Sequence, residues 1–312
     1  RVAGLPLAII GIVFIGYAFV SDLMPGQLYN DVVPFGRIAI YLYLDANALL
    51  GLPLAIAIGI VLAFILFGSV LFRTGAGNFY TDFAMALMGR YRGGPAKVAI
   101  VASSLFGTIS GSAVSNVVAT GVVTIPLMRR SGFDATEAGA IEAVASTGGQ
   151  LMPPMMGAAA FLMAEFLEIA YKDVVLAALI PAVLYYVALF IQADLVAGRD
   201  GLKPVDADKI PPRWPVFRAG WYYFVPFVVI VLCLFTFNLQ PQAAALWASI
   251  CLLPIGLLLG YKSERMALIA PVKALIETGS LIVQLIMIGA MAGIVIGVLN
   301  ITGLGFAMTQ SL

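Results

Sequence analysis

Residues 110–116 read Ser-Gly-Ser-Ala-Val-Ser-Asn, a cluster of neutral oxygens inside an otherwise apolar stretch. Ser and Asn cap helix N-termini and also offer hydroxyl and carbonyl oxygens. A second interruption follows at Thr147-Gly148-Gly149-Gln150-Leu151-Met152-Pro153-Pro154, where the glycines permit unwinding and Pro154 suits the first turn of a new half-helix. At such breaks one half-helix presents free carbonyls and the next presents free N–H groups. Carbonyls, Ser hydroxyls and an Asn amide make a site for a hard cation. With no histidine and few acids nearby, sodium is the natural occupant. The helix N-termini near Ser112 and after Pro154 favour an anionic group, so the pair suggests sodium-coupled movement of a carboxylate.

Plainer readings stand beside these. Gly107, Ser110, Gly111, Ser112 and Ala113 could simply allow close helix packing, and the second break could be a mere kink. Glu142 and Glu165 are acids within apolar runs. Glu142 lies within two turns of the second break and could be a coupling carboxylate or a support for the site, while Glu165, near the outer end of its run, suits a functional or an interfacial role equally. The Gly/Ala-rich segment 289–297 is read as helix packing, and the aromatics at 222–224 as an interfacial belt.

The elements that must position these residues follow from composition. Of 312 residues, 62% are hydrophobic and 11% charged, against about 45–50% and about 25% in soluble domains. Several apolar runs reach the roughly 20 residues that cross a bilayer as helix, so the fold class is all-α and polytopic. The absence of histidine removes His bases, His proton relays and zinc-type His clusters. Cys233 and Cys251 both lie in apolar runs, where thiols behave as small hydrophobes and no disulfide is expected. A net charge of +1 gives no sign of a nucleic-acid partner. The chain opens at Arg1 without a methionine or a secretory signal pattern, and it is expected to be a fragment of a longer polypeptide.

Apolar runs lie at 3–20, 48–72, 98–128, 138–166, 174–196, 221–237, 243–260 and 281–299. As one helix, 98–128 would be about 46 Å long against a hydrocarbon core of about 30 Å. If it enters and leaves on one face as a re-entrant hairpin while the other runs each cross once, all but Arg37 and Lys172 of the 17 Lys and Arg residues fall on one side. A crossing 98–128 would scatter them over both faces, so the hairpin is expected and the basic side is cytoplasmic. Residues 77–92 suit an interfacial helix before the hairpin, and 264–278 the same role before the last run. The expected organisation is a connecting transmembrane helix and periplasmic loop (1–47), then a first repeat (48–198) holding the hairpin 98–128, the broken helix 138–166 and helix 174–196. A cytoplasmic linker (199–220) follows, and then scaffold helices with the start of a second repeat (221–312).

At the breaks a resemblance is evident. Phe106-Gly107-Thr108-Ile109-Ser110-Gly111-Ser112-Ala113-Val114-Ser115-Asn116, continuing to Gly121 and Ile125-Pro126-Leu127-Met128, resembles the first hairpin of TRAP transporter large membrane subunits. The run from Glu142 through Thr147-Gly148-Gly149-Gln150-Leu151-Met152-Pro153-Pro154 to Glu165 is similar to the TAXI subgroup. The resemblance implies a sodium-driven secondary importer of the ion-transporter superfamily, fed by a periplasmic substrate-binding protein and moving small organic acids by an elevator motion. It implies a small four-helix subunit, fused or separate, a location in the bacterial or archaeal cytoplasmic membrane, and contact with lipid. Carried over by position, the sodium ligands are Ser110, Ser112, Ser115 and Asn116, with Gly149, Gln150 and Pro154. Substrate contacts fall on Ser112, Asn116, Thr147, Gly148 and Pro153, and Glu142 stays the candidate coupling carboxylate on its place in an apolar run. The family's second hairpin and second broken helix should follow Leu312, and the small-subunit helices should precede Arg1. Expected cargo is 2-oxoglutarate, glutamate or C4-dicarboxylates. A symporter of the same superfamily that needs no binding protein is the alternative. A purely structural membrane subunit would not need two breaks lined with polar groups, and an intramembrane serine protease lacks any base to activate a serine.

Overall fold

Long runs with few charges leave the backbone one way to satisfy its own polar groups within lipid, the α-helix. The structure, a computed structural model, describes residues 5–31, 33–202, 204–262 and 265–305. Arg1 and Lys203, both assigned above to the basic face, and the segment 306–312 lie outside the described residues. In chain order the helices are α1 (Leu5–Val20), α2 (Phe35–Leu44), α3 (Leu52–Ile56), α4 (Leu62–Arg73), α5 (Ala76–Met88), α6 (Gly94–Ser110) and α7 (Ala113–Arg130). They continue as α8 (Ala135–Gly148), α9 (Ala158–Phe166), α10 (Tyr171–Arg199), α11 (Arg213–Gly220), α12 (Val225–Phe235), α13 (Pro241–Pro254) and α14 (Ala270–Ile301). A π-turn at Ala57–Val61 joins α3 to α4.

Six helical spans among the described residues are long and apolar enough to cross a membrane: Leu5–Leu23, Leu52–Arg73, Tyr171–Arg199, Ala207–Phe235, Pro241–Leu259 and Ala270–Ile301. They account for every apolar run except 98–128 and 138–166, the two that contain the breaks. The chain is a multi-pass α-helical membrane protein. It divides into two compact units, Arg1–Leu62 with Glu277–Leu312, and Ala63–Ile276.

In the first unit, Gly289 and Gly293 of α14 pack directly on the backbone at 48–54. A Cβ on Gly293 would lie 2.3 Å from the Ala48 carbonyl oxygen, and one on Gly289 would lie 3.1 Å from that of Pro53. The small residues of 289–297 therefore serve close helix packing, as expected. Helix α2 occupies a stretch expected to be loop, and Ile38 joins Ala18 and Val298 in a small apolar core.

The second unit contains both breaks. Its core is built from α6, α7, α8 and α10, with small residues such as Ala96, Ala99, Ala138, Ala145, Ala193 and Ala197 at the crossings. Helices α6 and α7 form the expected antiparallel hairpin, with Ser103 facing Thr120 across it at 3.2 Å. The start of α6 and the start of α8 both lie against the C-terminal end of α10. Lys97 pairs with Asp194 at 2.5 Å, Arg92 pairs with the same carboxylate, and Arg199 reaches Glu137 at 2.6 Å. Lys172, at the opposite end of α10, bonds instead to Asn238. Arg92, Lys97 and Arg199 thus gather where the hairpin opens.

Four expectations are corrected. The segment 264–278 forms no separate surface helix, because nothing after Ala270 breaks α14. Gly279 alone, between Thr278 and Ser280, does not stop it. Helix α5 ends at Met88, short of residue 92, with Gly89 as its C-cap and Gly93 already the N-cap of α6. Its aromatic face is also covered by protein: Phe79 and Tyr80 are buried and pack on Tyr223 and Phe224. Tyr223 is therefore no interfacial belt residue. It is buried and donates its hydroxyl to the Thr74 carbonyl at 2.5 Å. Finally, Pro154 does not begin the second half-helix. That helix starts at Ala158, after an extended Gly157.

Candidate functional site

The hairpin tip follows from two residues. Gly111 closes α6 at φ +55°, a left-handed conformation that glycine adopts without strain. Ser112 is extended and caps α7, its Oγ accepting from the Ser115 N–H at 3.4 Å. The Ser110 hydroxyl lies 3.3 Å from the Ser112 carbonyl oxygen. Gly111 has no room for a side chain, since a Cβ there would lie 2.2 Å from the Met156 carbonyl oxygen. The tip therefore sits directly on the loop of the second break.

That loop runs from Gly149 to Gly157 between α8 and α9, and the Pro153–Pro154 bond within it is cis. The Gly157 N–H donates to the Gln150 carbonyl at 2.8 Å and closes the loop on itself. Helix α10 holds the rest through phenols. Tyr171 donates to the carbonyls of Pro154 and Met155, at 2.7 and 2.8 Å. Tyr186 reaches Ala145 at 2.9 Å and Tyr185 reaches Val144 at 2.7 Å. Phenol donors thus serve carbonyls in the loop and in the last turn of α8.

Hairpin and broken helix meet backbone to backbone at Gly107 and Gly149. A Cβ on Gly107 would lie 2.2 Å from Gly149 Cα, and one on Gly149 would lie 2.8 Å from Asn116 Nδ2. Asn116 is wholly buried. Its Nδ2 donates to the Ser103 carbonyl at 2.8 Å and lies 3.5 Å from that of Ser146, so the amide ties both hairpin arms to α8. Its Oδ1 is left over: among the described residues no donor reaches this buried oxygen. An unsatisfied buried carbonyl costs about 1–3 kcal/mol unless a donor or a cation fills the vacancy. The carbonyls of Gly149, Gln150 and Pro154 each accept one bond, from the Met152 N–H, the Gly157 N–H and the Tyr171 hydroxyl, which leaves each a second lone pair.

Of the expected site residues, the fold brings Ser110, Ser112 and Ser115 together at the tip. Asn116 lies one turn below, against Gly149 and beside the Gly148 turn of α8. Gln150 is exposed at the loop, and Pro153 and Pro154 are half-buried within it. Thr147 is not brought in: its side chain is exposed and its hydroxyl returns to Ala143 within α8. Glu165 is exposed near the end of α9.

Glu142 is wholly buried one turn before Ser146. Its Oε1 takes bonds from Thr120 at 2.5 Å, Ser146 at 3.1 Å and Ser103 at 3.3 Å, and its Oε2 from Thr124 at 2.5 Å. The sequence-based list omitted these hydroxyls, along with Tyr171, Tyr185 and Tyr186. A signal was present in part. Asn116, Thr120 and Thr124 recur every four residues on one face of α7, while Val114, Val118 and Val122 recur on the exposed face. A membrane-segment helix with its polar stripe inside and its apolar stripe outside points to a site within the protein.

Fold and site thus define a membrane protein whose two broken segments cross at a buried polar cluster. The chain belongs to the Tripartite ATP-independent periplasmic transporter family, DctM component, whose model matches residues 1–312. It is 28% identical to the C4-dicarboxylate TRAP transporter large permease protein DctM of Pseudomonas aeruginosa, over 73% of this chain and 52% of that protein. It is 27% identical to the sialic acid TRAP transporter permease protein SiaT of Haemophilus influenzae, over 68% of this chain and 33% of that protein. It is 23% identical to the large permease protein SiaM of Vibrio cholerae, over 72% and 52% respectively. The aligned regions span about half, or less, of these relatives' length.

Proposed function

We propose that this chain is part of the membrane permease of a sodium-coupled TRAP importer for small organic acids, working with a periplasmic binding protein of the TAXI type and a small four-helix subunit. The observation that carries this is the crossing of hairpin and broken helix at Asn116, whose buried Oδ1 meets no donor among the described residues. A hard monovalent cation suits it, joined by hydroxyls of Ser110, Ser112 and Ser115 and by second lone pairs on the loop carbonyls. The co-transported sodium would stabilise contact between tip and loop, and the N-termini of α7 and α9 would favour the substrate carboxylate. Relatives named for C4-dicarboxylates and for sialic acid carry anionic cargo, consistent with that polarity. An elevator motion would move the hairpin and broken helix together, since backbone contact at Gly107 and Gly149 joins them. The membrane is the bacterial cytoplasmic membrane.

The test is uptake of radiolabelled 2-oxoglutarate, glutamate or a C4-dicarboxylate by the full-length protein in proteoliposomes, with and without an inward sodium gradient and its binding protein. Uptake that needs both is expected. Uptake with sodium alone would replace this proposal with a simpler symporter, and sodium-independent uptake would remove the ion.

A further inference from the structure

We propose that the short helix α11 is a lipid-recognition site, whose outer face seats in the cytoplasmic leaflet and holds an anionic phospholipid by its headgroup. Helix α11 lies in the apolar span Ala207–Phe235, at the end where the chain enters from the basic linker. Val216 and Gly220 are its buried side. Gly220 is so close to α5 that a Cβ there would lie 2.2 Å from the Phe79 ring. On the other side Trp214 and Arg218 recur one turn apart, with Phe217 beside them and Trp221 just past the helix end. Trp214 and Trp221 are 66% and 54% exposed. Phe217 stacks on Trp214, with ring centroids 5.9 Å apart, and also meets Phe83 of α5. Protein therefore covers one side of α11 and leaves an aromatic strip open on the other. At the end of a membrane span such rings lie at headgroup level, where the apolar ring and the indole N–H both find partners. The strip continues along the chain into the side of α12 suited to lipid, where Val228, Val231 and Leu232 are exposed.

Charge selects the headgroup. Arg218 is exposed and has no hydrogen-bond or ion-pair partner among the described residues. Arg213 donates to the carbonyls of Ala86 and Leu87, at 3.1 and 3.5 Å, which orients its guanidinium without neutralising it. Arg90 stands beside the entry to α11, because the neighbouring Gly89 packs on Ile210 and accepts from the Val205 N–H at 3.0 Å. It too is exposed and unpaired among the described residues. Of the acids nearby, Asp82 is held by Lys262 and Tyr261, and Asp206 by Lys209. Asp208 is exposed and unpaired among the described residues. Three uncompensated guanidinium groups against one carboxylate leave a positive patch beside the aromatic strip. That patch complements a lipid phosphate with net negative charge, which a guanidinium fork binds in a fixed geometry.

The experiment uses the full-length protein in phosphatidylcholine vesicles that carry a trace of nitroxide-labelled phosphatidylglycerol or nitroxide-labelled phosphatidylcholine. The fraction of each probe immobilised by protein is compared. The native protein should favour phosphatidylglycerol about fivefold, the factor that one arginine near an anionic surface contributes, and R218Q should bring the ratio close to one. R130Q, which removes an exposed arginine at the end of α7, should leave the ratio unchanged. A native ratio of one, or an unchanged ratio in R218Q, overturns the proposal. So does an equal fall in R130Q, since the preference would then belong to the whole basic face. Release of the labelled lipid by inorganic phosphate would make the patch a site for a free anion and overturn the proposal as well. Depth is read separately from a nitroxide attached to W214C in a protein without other cysteines. It should meet dissolved oxygen more often than a water-soluble nickel chelate. The reverse order would put the strip in water, and protection from both would mean that a protein segment covers it; either result overturns the proposal. Neither measurement needs transport, so both stand if the function proposed above fails.

Discussion

At the scale of single residues, the site depends on side chains that are small or neutral. Gly149 is the most sharply constrained, because a methyl group there would meet Gly107 Cα at 2.6 Å and Asn116 Nδ2 at 2.8 Å. Gly149→Ala should cost about 1–3 kcal/mol by overpacking and lower uptake at least about tenfold. A methyl group on Gly139 of α8 meets nothing within 4 Å, so Gly139→Ala should be neutral or stabilise by up to about 1 kcal/mol. Thermal melts of the two variants in detergent check the contrast, and equal behaviour would remove the backbone contact as a constraint. Under the proposed function, Asn116→Ala and Ser112→Ala should each raise the sodium concentration for half-maximal uptake, by about tenfold if each ligand contributes about 1.4 kcal/mol. Unchanged sodium dependence in both would take them out of the ion site. Ser112→Ala should also weaken α7 by about 1 kcal/mol through loss of its cap.

At the scale of elements, the broken helix depends on its neighbour. Tyr171 and Tyr186 of α10 supply hydrogen bonds to carbonyls at the break and at the last turn of α8. Tyr171→Phe and Tyr186→Phe keep the ring packing and remove only the donor, so each should cost about 1 kcal/mol. The melting midpoint should fall by about 2–4 °C for each, and Tyr171→Phe should act more strongly because two carbonyls share its hydroxyl. A Tyr171→Phe protein as stable as the native one would show that water serves those carbonyls instead. The start of α8 is secured differently. Asp134 caps it, and the Thr136 N–H holds its carboxyl below the usual carboxylate range.

At the scale of the molecule, the prediction is topology. The charge distribution puts Tyr91, Ser131 and Asp200 in the cytoplasm and Glu168 outside, although the hairpin lies between Tyr91 and Ser131. With Cys233 and Cys251 replaced by alanine, single cysteines at 91, 131 and 200 should react with an impermeant maleimide only after the cells are opened. A cysteine at 168 should react in spheroplasts. Opposite labelling of 91 and 131 would show that 98–128 crosses the membrane. The exposed faces are suited to lipid: Ile180, Leu184, Ile191 and Leu195 of α10 are all more than half exposed.

The amino-acid order alone carried the class of protein, the runs that become membrane helices, the hairpin and the location of both breaks. These rest on local quantities: run length against bilayer thickness, the sidedness of Lys and Arg, and Gly or Pro where a helix must stop. Spacing along one chain could not show which partner each polar group meets. That carbonyls of the loop and of the last turn of α8 meet Tyr171, Tyr185 and Tyr186 depends on α10 packing beside them. That Glu142 is enclosed by Ser103, Thr120 and Thr124 depends on two hairpin arms crossing α8. The aromatics of 222–224 carry an interfacial composition, yet Tyr223 is buried because Phe79 of α5 packs against it. Thr147 sits within the break motif and still faces outward, since the helical turn at that residue, and not the motif, sets its direction. Hydrogen bonding between remote segments is a property of the assembled helices, so only the tertiary structure decided it.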